Sequence, residues 1–118
     1  MPTDQQKRGE FTAYLKQLKQ EGWSIDREAE ITIIKAVLGH KGSMLDTYIA
    51  GFKNMIRNMK NDIRTEPDVY SKNPPADDKC LVFFVGANVT SQNYTSNHAL
   101  RMFFSMAESR IYGFEVLR

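Results

Sequence analysis

Residues 31–63, ITIIKAVLGHKGSMLDTYIAGFKNMIRNMKNDI, decide how this chain is read. Ile34, Val37 and Leu38 form an apolar group that ends at Gly39, and after Ser43 the residues Leu45, Tyr48 and Ile49 fall three and four apart. That spacing gives each of two helices an apolar stripe, and the glycine-bearing segment between them lets the stripes pack across a tight corner. Ser43 and Asp46 make an S-x-x-D start signal for the second helix. Leu45, Tyr48, Ile49, Phe52, Met55, Ile56, Met59 and Ile63 then trace one apolar face over about five turns. Opposite that face, Lys53, Arg57, Lys60 and Arg64 recur at three and four residues, with Asn54, Asn58 and Asn61 beside them.

Working upstream, Phe11, Tyr14, Leu15 and Leu18 alternate with Lys16, Gln17, Lys19 and Gln20, which predicts an amphipathic helix over about residues 11–21 that stops at Gly22. Ser24 or Asp26 can cap the next helix, 27–38, by accepting the backbone N–H groups its first turn leaves unpaired. The β-branched run Ile31, Thr32, Ile33, Ile34 disfavours a helix because such side chains lose rotamer freedom there, while Glu28, Glu30 and Lys35 favour one. Downstream, 65–79 holds three prolines and mixed charge and reads as a loop. Residues 80–89 read as a strand, apolar on both faces and therefore buried. Ser96 or Asn97 would cap a C-terminal helix with Ala99, Leu100, Phe103, Phe104, Met106 and Ala107 on its apolar side; Gly113 would break it, and 114–117 would return as a short terminal strand.

The expected fold is α+β and predominantly helical: three N-terminal helices, a buried strand, a C-terminal helix and a short terminal strand. At 118 residues with 42% hydrophobic content, the chain supports one core and is too short to divide into two, so 1–118 is read as a single domain. Sixteen basic against fourteen acidic residues leave a net charge of +2, which does not by itself announce a nucleic-acid binder. The distribution says more, because eleven Lys and Arg against eight Asp and Glu lie in residues 1–64. The longest apolar run, 80–85, is only strand-sized, so no membrane partner is expected. The polar start MPTDQQKRGE lacks the pattern of a signal peptide. The single cysteine, Cys80, fits a reducing, cytoplasmic setting and reads as an inert buried thiol.

Cations neutralise phosphates and amides can read adenine edges, so the stripe on the third helix carries the chemistry of a DNA-facing helix. Lys35, His40 and Lys41 stand near its start, and backbone N–H groups around Ser43 offer a phosphate the positive end of the helix dipole. With its turn, this segment resembles the helix-turn-helix and winged-helix families of small regulators on Gly39, Ser43, Leu45, Tyr48, Ile49 and Phe52. The resemblance implies that Met44, Thr47, Ala50, Gly51 and Asn54 face bases while Lys41, Lys53 and Arg57 hold phosphates; the stripe itself adds Asn58 and Lys60 to the expected contact face. Asp46 then serves as the capping partner of Ser43. No hairpin is evident after the third helix, which leaves 65–79 and the strand beyond it as the only source of a wing.

Pro67-Asp68 and Asp77-Asp78-Lys79 resemble the elements of a large nuclease superfamily, in which two carboxylates hold a divalent metal and a lysine orients the attacking water. A surface loop accounts for them better, since no strand is expected before Pro67, and Pro74 and Pro75 interrupt the spacer. Two histidines and one cysteine give no zinc spacing, and no cofactor is expected. The sequence therefore predicts a non-enzymatic binder of double-stranded DNA with a regulatory, replication or partition role. It would act as a homodimer joined through Leu100, Phe103, Phe104 and Ile111 or through Met55, Met59 and Ile63. The alternatives are a protein-interaction module, such as an inhibitor or adaptor, whose basic helix is simply solvated, and the metal-dependent nuclease.

Overall fold

The computed structural model describes residues 2–61, 79–84 and 99–117. Three helices come first, α1 (Asp4–Gln20), α2 (Arg27–Leu38) and α3 (Gly42–Lys60), with a two-residue strand β1 (Ser24–Ile25) between α1 and α2. Three strands follow, β2 (Lys79–Phe84), β3 (Ala99–Ser105) and β4 (Arg110–Leu117). They form one four-stranded sheet in the order β1-β4-β3-β2, with β1 parallel to β4 and the other pairs antiparallel. The chain is thus α+β, helices at the N-terminus and strands at the C-terminus.

α1 begins two turns earlier than its apolar spacing suggests. The Thr3 hydroxyl accepts from the Gln6 N–H at 3.1 Å, and the Gln6 side chain accepts from the Thr3 N–H at 2.8 Å. This capping box satisfies two otherwise orphaned donors and starts a helix whose first turns are polar all round. The other end closes as expected at Gly22, where φ is +107°. The Trp23 N–H reaches back to the Leu18 carbonyl at 3.1 Å, the wrap-around bond of a Schellman motif.

α2 keeps its expected bounds despite its β-branched run. Only Ala29, Ile33 and Val37, spaced four apart, are buried in the core. Its neighbours Ile31 and Ile34 are left 42% and 36% exposed. In α3 the buried residues are Leu45, Tyr48, Gly51, Phe52, Met55, Ile56 and Met59. Phe52 lies at the meeting point of three elements: its ring is 5.3 Å from Phe11 and 6.5 Å from Tyr14, both edge-on, and 6.0 Å from Phe114 of β4.

The C-terminal helix expected from the Ser96 or Asn97 cap to Gly113 is instead strand β3, a turn and the start of β4, and the short terminal strand is the rest of that longer strand. Leu100, Met102 and Phe104 alternate into the core, each 1% exposed or less. Phe103, on the opposite side, is also buried, under the Arg101 guanidinium at 5.1 Å and stacked with Tyr112 at 6.3 Å. A strand covered on both sides shows no polar–apolar alternation, and its apolar spacing then fits a helix equally well. Gly113 does not break this region. It sits inside β4 opposite Phe103, where an added Cβ would come within 2.9 Å of that ring. β3 and β4 form a hairpin closed through Ser109, whose φ of 50° turns the chain and whose N–H donates to the Met106 carbonyl at 3.2 Å.

β2 covers the first part of the strand expected over 80–89; residues 85–89, the loop candidate 65–78 and the nuclease candidates Pro67, Asp68, Asp77 and Asp78 lie outside the described residues. Among the described residues no helix is long and apolar enough to cross a membrane. Phe52→Ala is expected to destabilise the fold by about 3–5 kcal/mol, because it removes the shared ring of three packed elements and leaves a cavity. Urea unfolding of the purified variant checks this.

Candidate nucleic-acid interface

The turn between α2 and α3 is held from outside itself. The Arg8 guanidinium of α1 donates to the Leu38 carbonyl at 3.3 Å and to the His40 carbonyl at 2.8 Å. One turn earlier in α1, the Asp4 carboxylate accepts the N–H of Gly42, the first residue of α3, at 3.2 and 3.3 Å. Lys7 between them pairs with Asp46 at 3.0 Å. Asp4, Lys7 and Arg8 thus fasten the corner through three different kinds of group, none of them singled out by the sequence reading. Their signal was the Thr3-x-x-Gln6 start, which extends α1 far enough to present them.

These contacts revise two expectations at the corner. Ser43 and Asp46 form no cap: Lys41 occupies the N-cap position with no side-chain cap bond, and Asp46 faces Lys7. The first N–H of α3, expected to receive a phosphate, already carries the carboxylate of Asp4. The left-handed residue of the turn is Gly42, at φ +57°, whereas Gly39 keeps a right-handed φ of −76°. At Gly42 a side chain would therefore be strained.

The proposed contact residues separate into groups. Lys35, Lys41, Ser43 and Met44 are exposed around the corner. The His40 ring lies flat on Tyr48, 3.7 Å between centroids and 20° between planes, so its position is set by the core of the corner. The Thr47 hydroxyl donates to the Ser43 carbonyl one turn back at 3.0 Å. Gly51, assigned to the base-facing side by resemblance, is instead buried, while its neighbour Ala50 is exposed.

Along the distal part of α3 an outward strip runs through Ala50, Lys53, Asn54 and Arg57, which together line a shallow depression. Lys53 leans toward α1, its ammonium 5.2 Å from the centre of the Tyr14 ring. Arg57 donates to the Asn54 side-chain carbonyl, and Asn58 is half-buried beside them. Lys60 is already paired with Glu21 at 2.5 Å, where its hydrogen bond holds the Glu21 carboxyl below its ordinary pKa. The arrangement can present two cations and an amide to an anionic, hydrogen-bonding surface, with the small Ala50 permitting close approach to the helix.

The other end of α2 is tied to the sheet by Asp26, which accepts two bonds from Arg110 at 2.9 and 2.6 Å instead of capping α2 with its side chain. Hydrogen bonding to Arg110, then its charge, holds the Asp26 carboxyl below its ordinary value. Comparison with protein-family models, with curated proteins and with solved structures gives no match for this chain.

Two outcomes are expected from these contacts. Arg8→Ala should lower stability by roughly 1–3 kcal/mol, since charged hydrogen bonds to two carbonyls are lost. Arg8→Lys should rescue it only in part, because an ammonium lacks the fork that reaches both; urea titration reads both variants. For Asp26 the folded pKa is depressed, so its contribution is complete above the unfolded carboxylate value of about 4 and is lost as pH falls through the folded value. The stability gap between wild type and Asp26→Asn should therefore be wider at pH 7 than at pH 2.

Proposed function

We propose that this chain is a non-enzymatic DNA-binding protein of helix-turn-helix or winged-helix type, acting as a dimer on double-stranded DNA. The observation that carries the reading is the outward strip of α3. Lys53, Asn54 and Arg57 stand there with no carboxylate on the helix beyond Asp46, and Asp46 is neutralised by Lys7. Lys41 adds a cation at the corner, and Arg57 follows Lys53 by one helical turn on the same strip, where both are exposed to a phosphate backbone. The order of elements adds support. A short strand between the first two helices joins the sheet of a hairpin that follows the third helix, and β3–β4 supplies the hairpin that the sequence did not reveal.

Affinity of this kind is dominated by counterion release, at about 0.9 in log–log salt slope for each phosphate neutralised. Fluorescence anisotropy against random duplex DNA should therefore show binding that weakens steeply as salt rises. Lys53→Ala combined with Arg57→Ala should abolish binding at moderate salt and, where residual binding is measurable, flatten the slope by about 2 per protomer. Both side chains are exposed, so the thermal unfolding curve should stay within a few degrees of wild type. Binding that survives the double substitution assigns the DNA contact to another face and defeats the reading.

A protein-interaction module is the second reading, favoured by the exposed isoleucines of α2. It predicts association with a protein partner that is insensitive to salt and no DNA binding even at low salt.

A further inference from the structure

Among the described residues, the surfaces first expected to join two copies of this chain are consumed by its own core; Ile63 lies outside the described residues. Leu100, Phe104, Ile111, Met55 and Met59 are each 2% exposed or less, and Phe103 is covered within the sheet. The largest adjacent apolar exposure on one helix is elsewhere, at Ile31 and Ile34 of α2. Arg27, Ile31 and Ile34 follow one another at four and three residues, the spacing of a helix–helix seam, on the side of α2 away from Ala29, Ile33 and Val37, while Leu38 at the end of the helix packs against the core.

Charge flanks this seam in a self-complementary way. Glu28 lies one turn before Ile31 and Lys35 one turn beyond it, both exposed. Glu30 on the same helix is already held by Lys19 at 2.5 Å, whereas Glu28 and Lys35 take part in no ion pair among the described residues. A two-fold axis crossing α2 near Thr32 runs the helices antiparallel. It brings Ile31 of one copy against Ile34 of the other, and Glu28 of each copy against Lys35 of the other. In a parallel pairing the two copies of Glu28, like those of Lys35, fall on opposite edges of the seam, so the Glu28–Lys35 pairs do not form.

We infer that α2 is the dimer interface of this protein, with a second copy of the same chain packed antiparallel on Ile31 and Ile34 and fixed in register by reciprocal Glu28–Lys35 ion pairs. The inference goes beyond the DNA reading and does not require it. It moves Lys35 from phosphate contact to the interface and leaves the strip of Lys53, Asn54 and Arg57 on each copy outside it. The twelve residues of α2 span about 18 Å, so the contact is small and dissociation is expected in about the micromolar range or weaker.

Sedimentation equilibrium of the full chain without DNA, over a wide concentration range, tests it. The mass should rise from the 13.6 kDa of one copy toward twice that value. Ile31→Glu with Ile34→Glu should hold the protein at the lower mass with its circular dichroism unchanged. Glu28→Lys alone and Lys35→Glu alone should each weaken association by about tenfold, since two attractive pairs become repulsive. The double exchange should restore it. A single-copy mass at the highest concentration overturns the proposal and assigns the face to a different protein; a dimer that survives the isoleucine changes places the interface elsewhere, and a double exchange that fails to restore association overturns the antiparallel register. Dimerisation that responds as stated while DNA binding is absent defeats the DNA reading alone.

Discussion

The ring of Phe52 is the point at which helices and sheet are joined, and the direction of α3 follows from it. Phe11 and Tyr14 meet it edge-on from α1, and Phe114 meets it from β4. Edge-on contacts of this kind set the angle between elements as well as the burial, because the positive rim of one ring is attracted to the negative face of another. With α3 held on two sides, its outward face is determined. Lys53 follows Phe52 by about 100° around the helix and lands on the border of the cluster, over the Tyr14 ring. The cationic strip begins where the aromatic packing ends.

Around this centre, the acids nearest α3 are consumed by particular cations. Asp46 takes Lys7, and Glu21 takes Lys60. Exposed pairs like these add little to stability, on the order of 1 kcal/mol or less each. Their greater consequence is for the surface: they neutralise Asp46 and Glu21, so that Lys41, Lys53 and Arg57 outweigh the acids along the described outward face of α3, with Glu10 of α1 lining a shallow cavity beside Lys53. Arg8 differs, because its partners are backbone carbonyls of the corner. Its fork fixes where α2 ends relative to where α3 begins, which no residue of the corner does by itself.

The helices were legible because each buries a single stripe. Val37 in α2, and Tyr48, Phe52, Met55, Ile56 and Met59 in α3, keep helical spacing from end to end, and Gly39 marks the end of α2; Ile34, read into the packed stripe, is instead 36% exposed, and Ile33 beside it is the residue in the core. The C-terminal hairpin was not legible, for the reason Phe103 illustrates: a residue buried on the second face of a strand fills the gap that alternation needs. The corner was half legible. Its position and exposed cations follow from local spacing, but its fastening depends on Asp4, Lys7 and Arg8, more than thirty residues earlier in the chain, and a contact across that separation leaves no periodic trace. His40 shows the same limit, since only the folded corner reveals that its ring stacks on Tyr48.

The fastening of the corner bears on how a DNA duplex would be met. In helix-turn-helix proteins the N-terminal residues of the second helix commonly approach base edges, and its first N–H groups are available to phosphate. Here the Gly42 N–H is occupied by Asp4, with Asp46 a turn beyond, so a phosphate at the start of α3 would displace one carboxylate and lie beside another. The Thr47 hydroxyl is also engaged, with the Ser43 carbonyl. Toward the other end the balance reverses: Arg57 and Lys60 lie in the last turn, where the negative end of the helix dipole favours cations, Lys53 adds a cation one turn earlier, and Ala50 and Asn54 are the outward residues beside them. Under the DNA reading, contact therefore shifts along α3 toward its distal half, and base edges fall to Asn54 and the open surface at Ala50. Ser43 and Met44 then lie at the margin. That shift follows from the same α1 contacts that make the corner rigid, so the geometry that orients α3 also decides which part of it is available.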